Sequence, residues 1–235
     1  MHFLYPLAAL AATAMAIPAQ LVEGNTVKAI SNEPLLITPS GEQKVAKRDA
    51  LAEAEAEADL EKRQYMTFQQ RVLLHHNLHR RNHSAPDLVW NASIATSAKT
   101  LAQQCKFAHD TSIGGGGYGQ NLAVGVKEAN VTAVITDLWY GSEFNAYNRF
   151  YGQEPDLSTF GSYGHFTQVV WKGTTSVGCY VADCTKQGVT GVGANVGKYM
   201  TVCNYWRPGN VIGNFKTNVI RPRGDAVAKW NTGWA

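Results

Sequence analysis

Charge is scarce in this sequence. Asp, Glu, Lys and Arg make up 17% of its 235 residues, and the net of +3 is too small to mark a nucleic-acid footprint. There is no Gly-rich triplet repeat, no heptad pattern and no polar bias throughout, which excludes collagen, coiled coil and a wholly disordered chain. Only four Cys occur, with no C-x2-C pair among them, so a thiolate zinc site is disfavoured. No Gly-x-Ser-x-Gly elbow is present, and the run Gly114–Gly117 lacks the Lys and Ser/Thr of a phosphate loop. His75 and His79 are four apart on a predicted helix. The residues between them are His-Asn-Leu, so the Glu of a metalloprotease helix is missing.

One apolar stretch, Phe3 to Ile17, opens the chain. It falls short of the roughly 20 residues that span a bilayer and ends at a small-x-small site, Ala14-Met15-Ala16, so residues 1–19 read as a secretory signal peptide. The C-terminal RGDAVAKWNTGWA has no hydrophobic tail for a lipid anchor. Residues 20–63 contain no Cys, Trp or Tyr, and an acidic Glu-Ala alternation lies between the dibasic pairs Lys47-Arg48 and Lys62-Arg63. Every second residue there is acidic, so a helix would have no apolar face. We read this segment as a disordered pro-segment, processed at Arg48 and finally at Arg63. The working domain would then be residues 64–235. It keeps 15 of the 21 Lys and Arg and 9 of the 18 Asp and Glu, a net of +6.

All four cysteines, Cys105, Cys179, Cys184 and Cys203, lie in that domain. An even count behind a signal peptide predicts two disulfides, and four Cys allow three pairings that spacing alone does not separate. Three glycosylation sequons begin at Asn82, Asn91 and Asn130. Apolar periodicity predicts helices over 66–81, 91–106 with Asn91 as its cap, and 131–147. Residues 120–126 read as extended and 149–164 as an aromatic loop. Strands are expected over 166–171, 177–182 and 199–204. Helices first and strands later imply α+β layering.

Two stretches are far more distinctive: Gly164-His165-Phe166-Thr167-Gln168-Val169-Val170-Trp171-Lys172-Gly173-Thr174, and Val202-Cys203-Asn204-Tyr205-Trp206-Arg207-Pro208-Gly209-Asn210-Val211. Landmarks stand before them in order: His76-Asn77 with Arg80, Leu88 and Trp90, Cys105 with His109, Tyr118 to Leu122, and Gly178-Cys179. Over residues 66–216 the chain resembles the CAP superfamily of cysteine-rich secretory proteins, antigen 5 and pathogenesis-related class 1 proteins, and its fungal members in particular. The resemblance implies a three-layer α-β-α sandwich with disulfides Cys105–Cys179 and Cys184–Cys203.

It also implies a cleft holding His109, Gln120, Glu143 and His165, where some members bind Zn²⁺ or Mg²⁺. Gln120 stands where Glu is usual. A neutral amide is a poorer ligand for a hard cation, so any metal there is expected to bind weakly or through water, and no cofactor is required. Trp139-Tyr140-Gly141-Ser142-Glu143 has one residue more than the family's W-Y-x-E, and Tyr147 supports placing Glu143 in the cleft.

Phe144, Tyr147, Phe150, Tyr151, Phe160 and Tyr163 gather at the third helix and the loop after it. The spacing Trp139-x4-Phe144-x2-Tyr147 is of the caveolin-binding type. Fungal members bind sterols through an aromatic-bearing loop in this region and export them. The resemblance therefore implies a secreted, monomeric binder of sterols, acetylated sterols and other small hydrophobic compounds rather than an enzyme. Two other readings stand beside it. One is a metal-dependent hydrolase or protease at the His109–His165 cleft. The other is a virulence module acting on a host or cell-surface partner.

Overall fold

The computed structural model describes residues 66–193 and 196–225. The expected signal peptide and the pro-segment with Arg48 and Arg63 lie outside the described residues.

Thr67 starts helix α1 (Phe68–Asn82). Its hydroxyl accepts from the Gln70 N–H at 3.3 Å, and the Gln70 side chain accepts from the Thr67 N–H at 2.8 Å, a reciprocal cap. The face that α1 buries is largely polar: Val72, His75, His76, His79 and Arg80. Arg80 is fully buried and donates to four carbonyls, Pro86 (2.8 Å), Val169 (3.0 Å), Trp171 (2.8 Å) and Thr174 (2.8 Å). One planar guanidinium thus ties two separate chain segments, at Pro86 and over 169–174, to α1. Burial lowers its pKa to about 10.

After the short strand β1 (Val89–Trp90), Asn91 caps helix α2 (Ala92–Ala102) by accepting from the Ser93 and Ile94 amides. Strand β2 (Gly119–Val124) follows. Val131–Ala133, Val134–Gly141 and Ser142–Tyr147 then run on as one helix, α3, whose middle part is π-helical. Helix α4 (Gly164–Val170) precedes strands β3 (Ser176–Asp183) and β4 (Tyr199–Trp206), and α5 (Phe215–Asn218) is a single turn.

Helix α4 corrects the strand expected over 166–171. Phe166, Thr167, Gln168, Val169 and Val170 are all buried, so the segment has no polar face to show a helical period. Its β-branched content then reads as strand, and tertiary packing overrides that preference.

The sheet order is β1-β3-β4-β2, with β1 parallel to β3 and the other pairs antiparallel. Helix α2 packs on β3 and β4 from one side, while α1, α3 and α4 form the layer on the other. This is the expected three-layer α-β-α sandwich. The α2 backbone sits directly on Gly178, where a Cβ would fall 2.4 Å from the Ala95 nitrogen and 2.6 Å from the Asn91 carbonyl oxygen.

The pleat sorts the cysteines and overturns the pairing that the resemblance implied. Alternate residues of a strand face opposite sides. Cys179 and Cys203 oppose each other in the β3–β4 register, on the face toward α1 and α3, with Cα atoms 4.1 Å apart. Cys105, just past α2, and Cys184, just past β3, lie on the α2 side. The disulfides are therefore Cys105–Cys184 and Cys179–Cys203, not Cys105–Cys179 and Cys184–Cys203. Either expected bond would have to cross the sheet.

Candidate functional site

A cleft of about 350 Å³ opens beside β2. It is lined by His109, Gln120, Asn121, Phe160, Gly161, Gly164, His165 and Asn210. Helix α4 brings His165 there, and α3 holds it. His165 Nδ1 lies 2.6 Å from Glu143 Oε1, and the Phe166 amide donates to Glu143 Oε2 at 2.9 Å. One carboxylate thus orients the imidazole and satisfies a free amide at the start of α4. Trp139 stacks on the ring at 6.2 Å between centroids and 9° between planes. The residue that Trp139–Glu143 has beyond the family spacing ends the π-helical stretch. A π turn absorbs one extra residue, so Glu143 still reaches His165.

Gln120 is fixed from several sides. Its Nε2 donates to Asn204 Oδ1 (2.9 Å) and to the Asp110 carbonyl (3.2 Å), while its Oε1 accepts from the Asp110 amide (3.2 Å) and faces His109 Nδ1 (3.0 Å). Asn204 in turn donates to the Ile94 carbonyl (3.1 Å). This network sets the protonation of both cleft imidazoles. Each Nδ1 faces an acceptor and must donate, so in the neutral ring each Nε2 keeps its lone pair.

The donor set does not fit a resident divalent ion. Both Glu143 oxygens are engaged, Gln120 is neutral and locked, and only two imidazole nitrogens remain. Among the described residues no cluster of three or more His, Cys, Asp or Glu could hold a metal. None of the residues lining the cleft is Ser, Thr or Cys.

Asn121 and Asn210, not singled out from sequence as site residues, complete the wall. Asn121 Nδ2 donates to the His165 carbonyl at 3.1 Å. Asn210 adopts φ 57°, accepts from Thr167 Oγ1 (2.6 Å) and donates to the Gly164 carbonyl (2.8 Å). Both fall inside the stretches that carried the resemblance. The run Pro208-Gly209-Asn210 is a turn signal that could have marked the second, since Asn tolerates the positive φ found there.

The six loop aromatics divide sharply. Tyr147, Phe150 and Tyr163 are buried in the main core, and Phe144 and Tyr151 are half-buried against it. Their rings meet edge-on or tilted, Tyr147 with Phe150, Tyr151, Tyr163 and Phe166 at 5.2–5.7 Å. The Tyr147 and Tyr151 hydroxyls are buried without a hydrogen-bond partner. Phe160 alone is exposed, at 38%, and it stands in the cleft wall.

The other histidines of the described residues are structural. Thr136 Oγ1 lies 2.7 Å from His75 Nδ1 and 2.8 Å from His79 Nε2. Tyr140 stacks on His79 at 3.8 Å, and its hydroxyl lies 2.9 Å from His83 Nε2. His76 Nε2 lies 2.9 Å from the Tyr205 hydroxyl. Burial lowers the pKa of His76 and His79 to about 3 and of His83 to about 4.

Of the sequon asparagines, Asn82 is 5% exposed and its Oδ1 accepts from the Asp225 amide, Asn91 is engaged as the α2 cap, and Asn130 is exposed.

The three-layer sandwich, its two disulfides and the His-lined cleft at the sheet edge are the frame in which the two distinctive sequence stretches lie. The chain belongs to the CAP family, the cysteine-rich secretory protein family, whose profile matches residues 73–205. It is 48% identical over 153 residues to a probable pathogenesis-related protein of Arthroderma benhamiae, covering 65% of this chain and 48% of that one. It is 36% identical over 167 residues to secreted protein RBT4 of Candida albicans, covering 66% and 41%. Protein PRY2 of Saccharomyces cerevisiae is 36% identical over 154 residues, covering 65% and 41%. The match therefore spans less than half the length of these relatives. Among solved structures, the crystal structure of NaASP2 with Zn2+ is 22% identical, covers 66% of this chain and 85% of that one, and gives a TM-score of 0.49.

Proposed function

We propose that this protein is a secreted lipid-binding protein. It takes up sterols, acetylated sterols and other small hydrophobic compounds, and carries them outside the cell. The observation that carries this reading is Phe160. It is the one of the six loop rings left exposed, and it lines the cleft together with His109, Gln120, Asn121, His165 and Asn210. Such a site suits an amphiphile with one polar end and a rigid apolar body. A sterol hydroxyl donates to Nε2 of His165 or His109, and its rings lie on Phe160. The apolar leader and the secreted relatives support the extracellular setting.

We read the cleft as a binding site rather than a hydrolytic one because no side-chain nucleophile adjoins His165 among the lining residues. Purified processed protein incubated with tritiated cholesterol or cholesteryl acetate tests the reading. Saturable binding is expected, weakened about tenfold by Phe160→Ala through lost ring contact. Absence of saturable binding would sink it.

A further inference from the structure

Four of the large apolar side chains left exposed stand on two loops beside the cleft: Leu157 (42%), Phe160 (38%), Val211 (43%) and Ile212 (72%). Leu157 and Phe160 are three apart in the 3-10 helix Leu157–Ser162, where residues i and i+3 share a side. Val211 and Ile212 directly follow Asn210, which lines the cleft with Phe160. The two loops are tied together by hydrogen bonds. Asn210 bonds to Gly164 and Thr167, and the Glu154 carboxylate accepts from the amides of Gly213 (3.1 Å), Phe215 (3.4 Å) and Lys216 (3.0 Å).

Two exposed carboxylates and three exposed cations stand on these loops, so basic groups are in slight excess. Glu154 faces those backbone amides, and Asp156 accepts from the Ser158 amide at 2.9 Å. Arg149, Arg207 and Lys216 are exposed on the same segments. The rim is apolar at Leu157, Phe160, Val211 and Ile212, and Arg149, Arg207 and Lys216 outnumber the exposed Asp156 and the amide-bound Glu154 beside them.

We propose that this rim seats the protein on an anionic lipid bilayer. Leu157, Phe160, Val211 and Ile212 enter the boundary between headgroups and acyl chains, and Arg149, Arg207 and Lys216 meet the phosphates. Separate apolar tips on turns suit shallow insertion into lipid. A protein partner would call instead for a contiguous, pocketed hot spot. The seat rests on the lipid-binding reading for its purpose, since it sets the cleft mouth against the source of its ligand.

Vesicle flotation of the full processed chain tests it, using phosphatidylcholine vesicles with and without phosphatidylglycerol. Wild type floats with the anionic vesicles, and salt weakens the binding. Ile212→Asp with Leu157→Asp lowers the bound fraction about tenfold. Val89→Asp leaves it unchanged: Val89 is 63% exposed but lies on β1, at the far edge of the sheet from β2. A wild type that stays with the soluble fraction overturns the proposal, and so does a double variant that floats normally.

All four cysteines are in disulfides, so Ile212→Cys supplies a single thiol for an environment-sensitive dye. Its emission shifts to the blue on anionic vesicles, and the same dye on Val89→Cys does not respond. Equal responses at both positions overturn the proposal. Cholesterol binding measured without vesicles separates the two claims: Ile212→Asp retains it if the sterol site is the cleft. A wild type that floats but binds no cholesterol keeps the seat and rejects the sterol reading.

Discussion

Two groups of histidines lie a short way apart in this domain and have opposite fates. His75, His76 and His79 on α1, and His83 at its C-cap, are buried against α3 and β4, each facing a hydroxyl of Thr136, Tyr140 or Tyr205. His109 and His165 are tied at Nδ1 by Gln120 and Glu143 and line an open cleft. Residue type does not separate the two. What separates them is burial together with what faces the second ring nitrogen. A histidine enclosed by fixed partners stiffens a core, and one anchored at a single end is ready for a ligand.

Acid should break the first group through the unfolded chain. His76, His79 and His83 have folded pKa values near 3, 3 and 4, below the ordinary 6.5. The unfolded chain binds more protons between those limits. The stability that these groups contribute is therefore full above about pH 6.5 and is lost as pH falls toward 4. Each adds a slope of about 1.4 kcal/mol per pH unit, so thermal melts should show a loss on the order of 5 kcal/mol from pH 7 to 5. A Tm that is flat over this range would place these histidines in solvent.

Arg80→Met comes next. It leaves four buried carbonyls without their donor and should cost about 3–5 kcal/mol in urea unfolding. A change under about 1 kcal/mol would mean that water replaces the guanidinium.

Glu143→Gln sharpens the contrast from the cleft side. The amide nitrogen would face His165 Nδ1, so the ring must take the other tautomer and turn Nε2 from acceptor to donor. Cholesterol affinity should fall about tenfold while that of cholesteryl acetate holds or rises, with stability within about 1 kcal/mol of wild type. Equal losses for both ligands would detach His165 from ligand recognition. The smallest effect belongs to Tyr147→Phe. Removing a buried hydroxyl without a partner should leave stability unchanged or raise it by about 1 kcal/mol in the same unfolding assay.

Much of the frame was legible because it follows local rules. Thr67 and Asn91 are capping residues, the apolar face of α2 repeats at helical spacing, and β3 and β4 are rich in β-branched and aromatic residues. A segment buried on all sides hides its period. Residues 166–171 became a strand for that reason. The buried polar stripe of α1 is not legible in the sequence, because imidazoles do not announce burial. The disulfides were open to argument from the sequence. Cys179 and Cys184 are an odd number of residues apart along one strand and its end, so the pleat sends them to opposite faces. Cleft residues His109, Gln120, Glu143 and His165 were named from the resemblance. Their proton assignment needed coordinates, as did the finding that Phe160 alone of six loop rings stays exposed.

The most direct test is an NMR measurement on histidine-labelled protein during titration with cholesterol. The ring signals of His165 and His109 should move in proportion to saturation, while those of His75, His76, His79 and His83 stay in place. Movement of the α1 histidines with the cleft pair unchanged would put the ligand among the core aromatics and contradict the account.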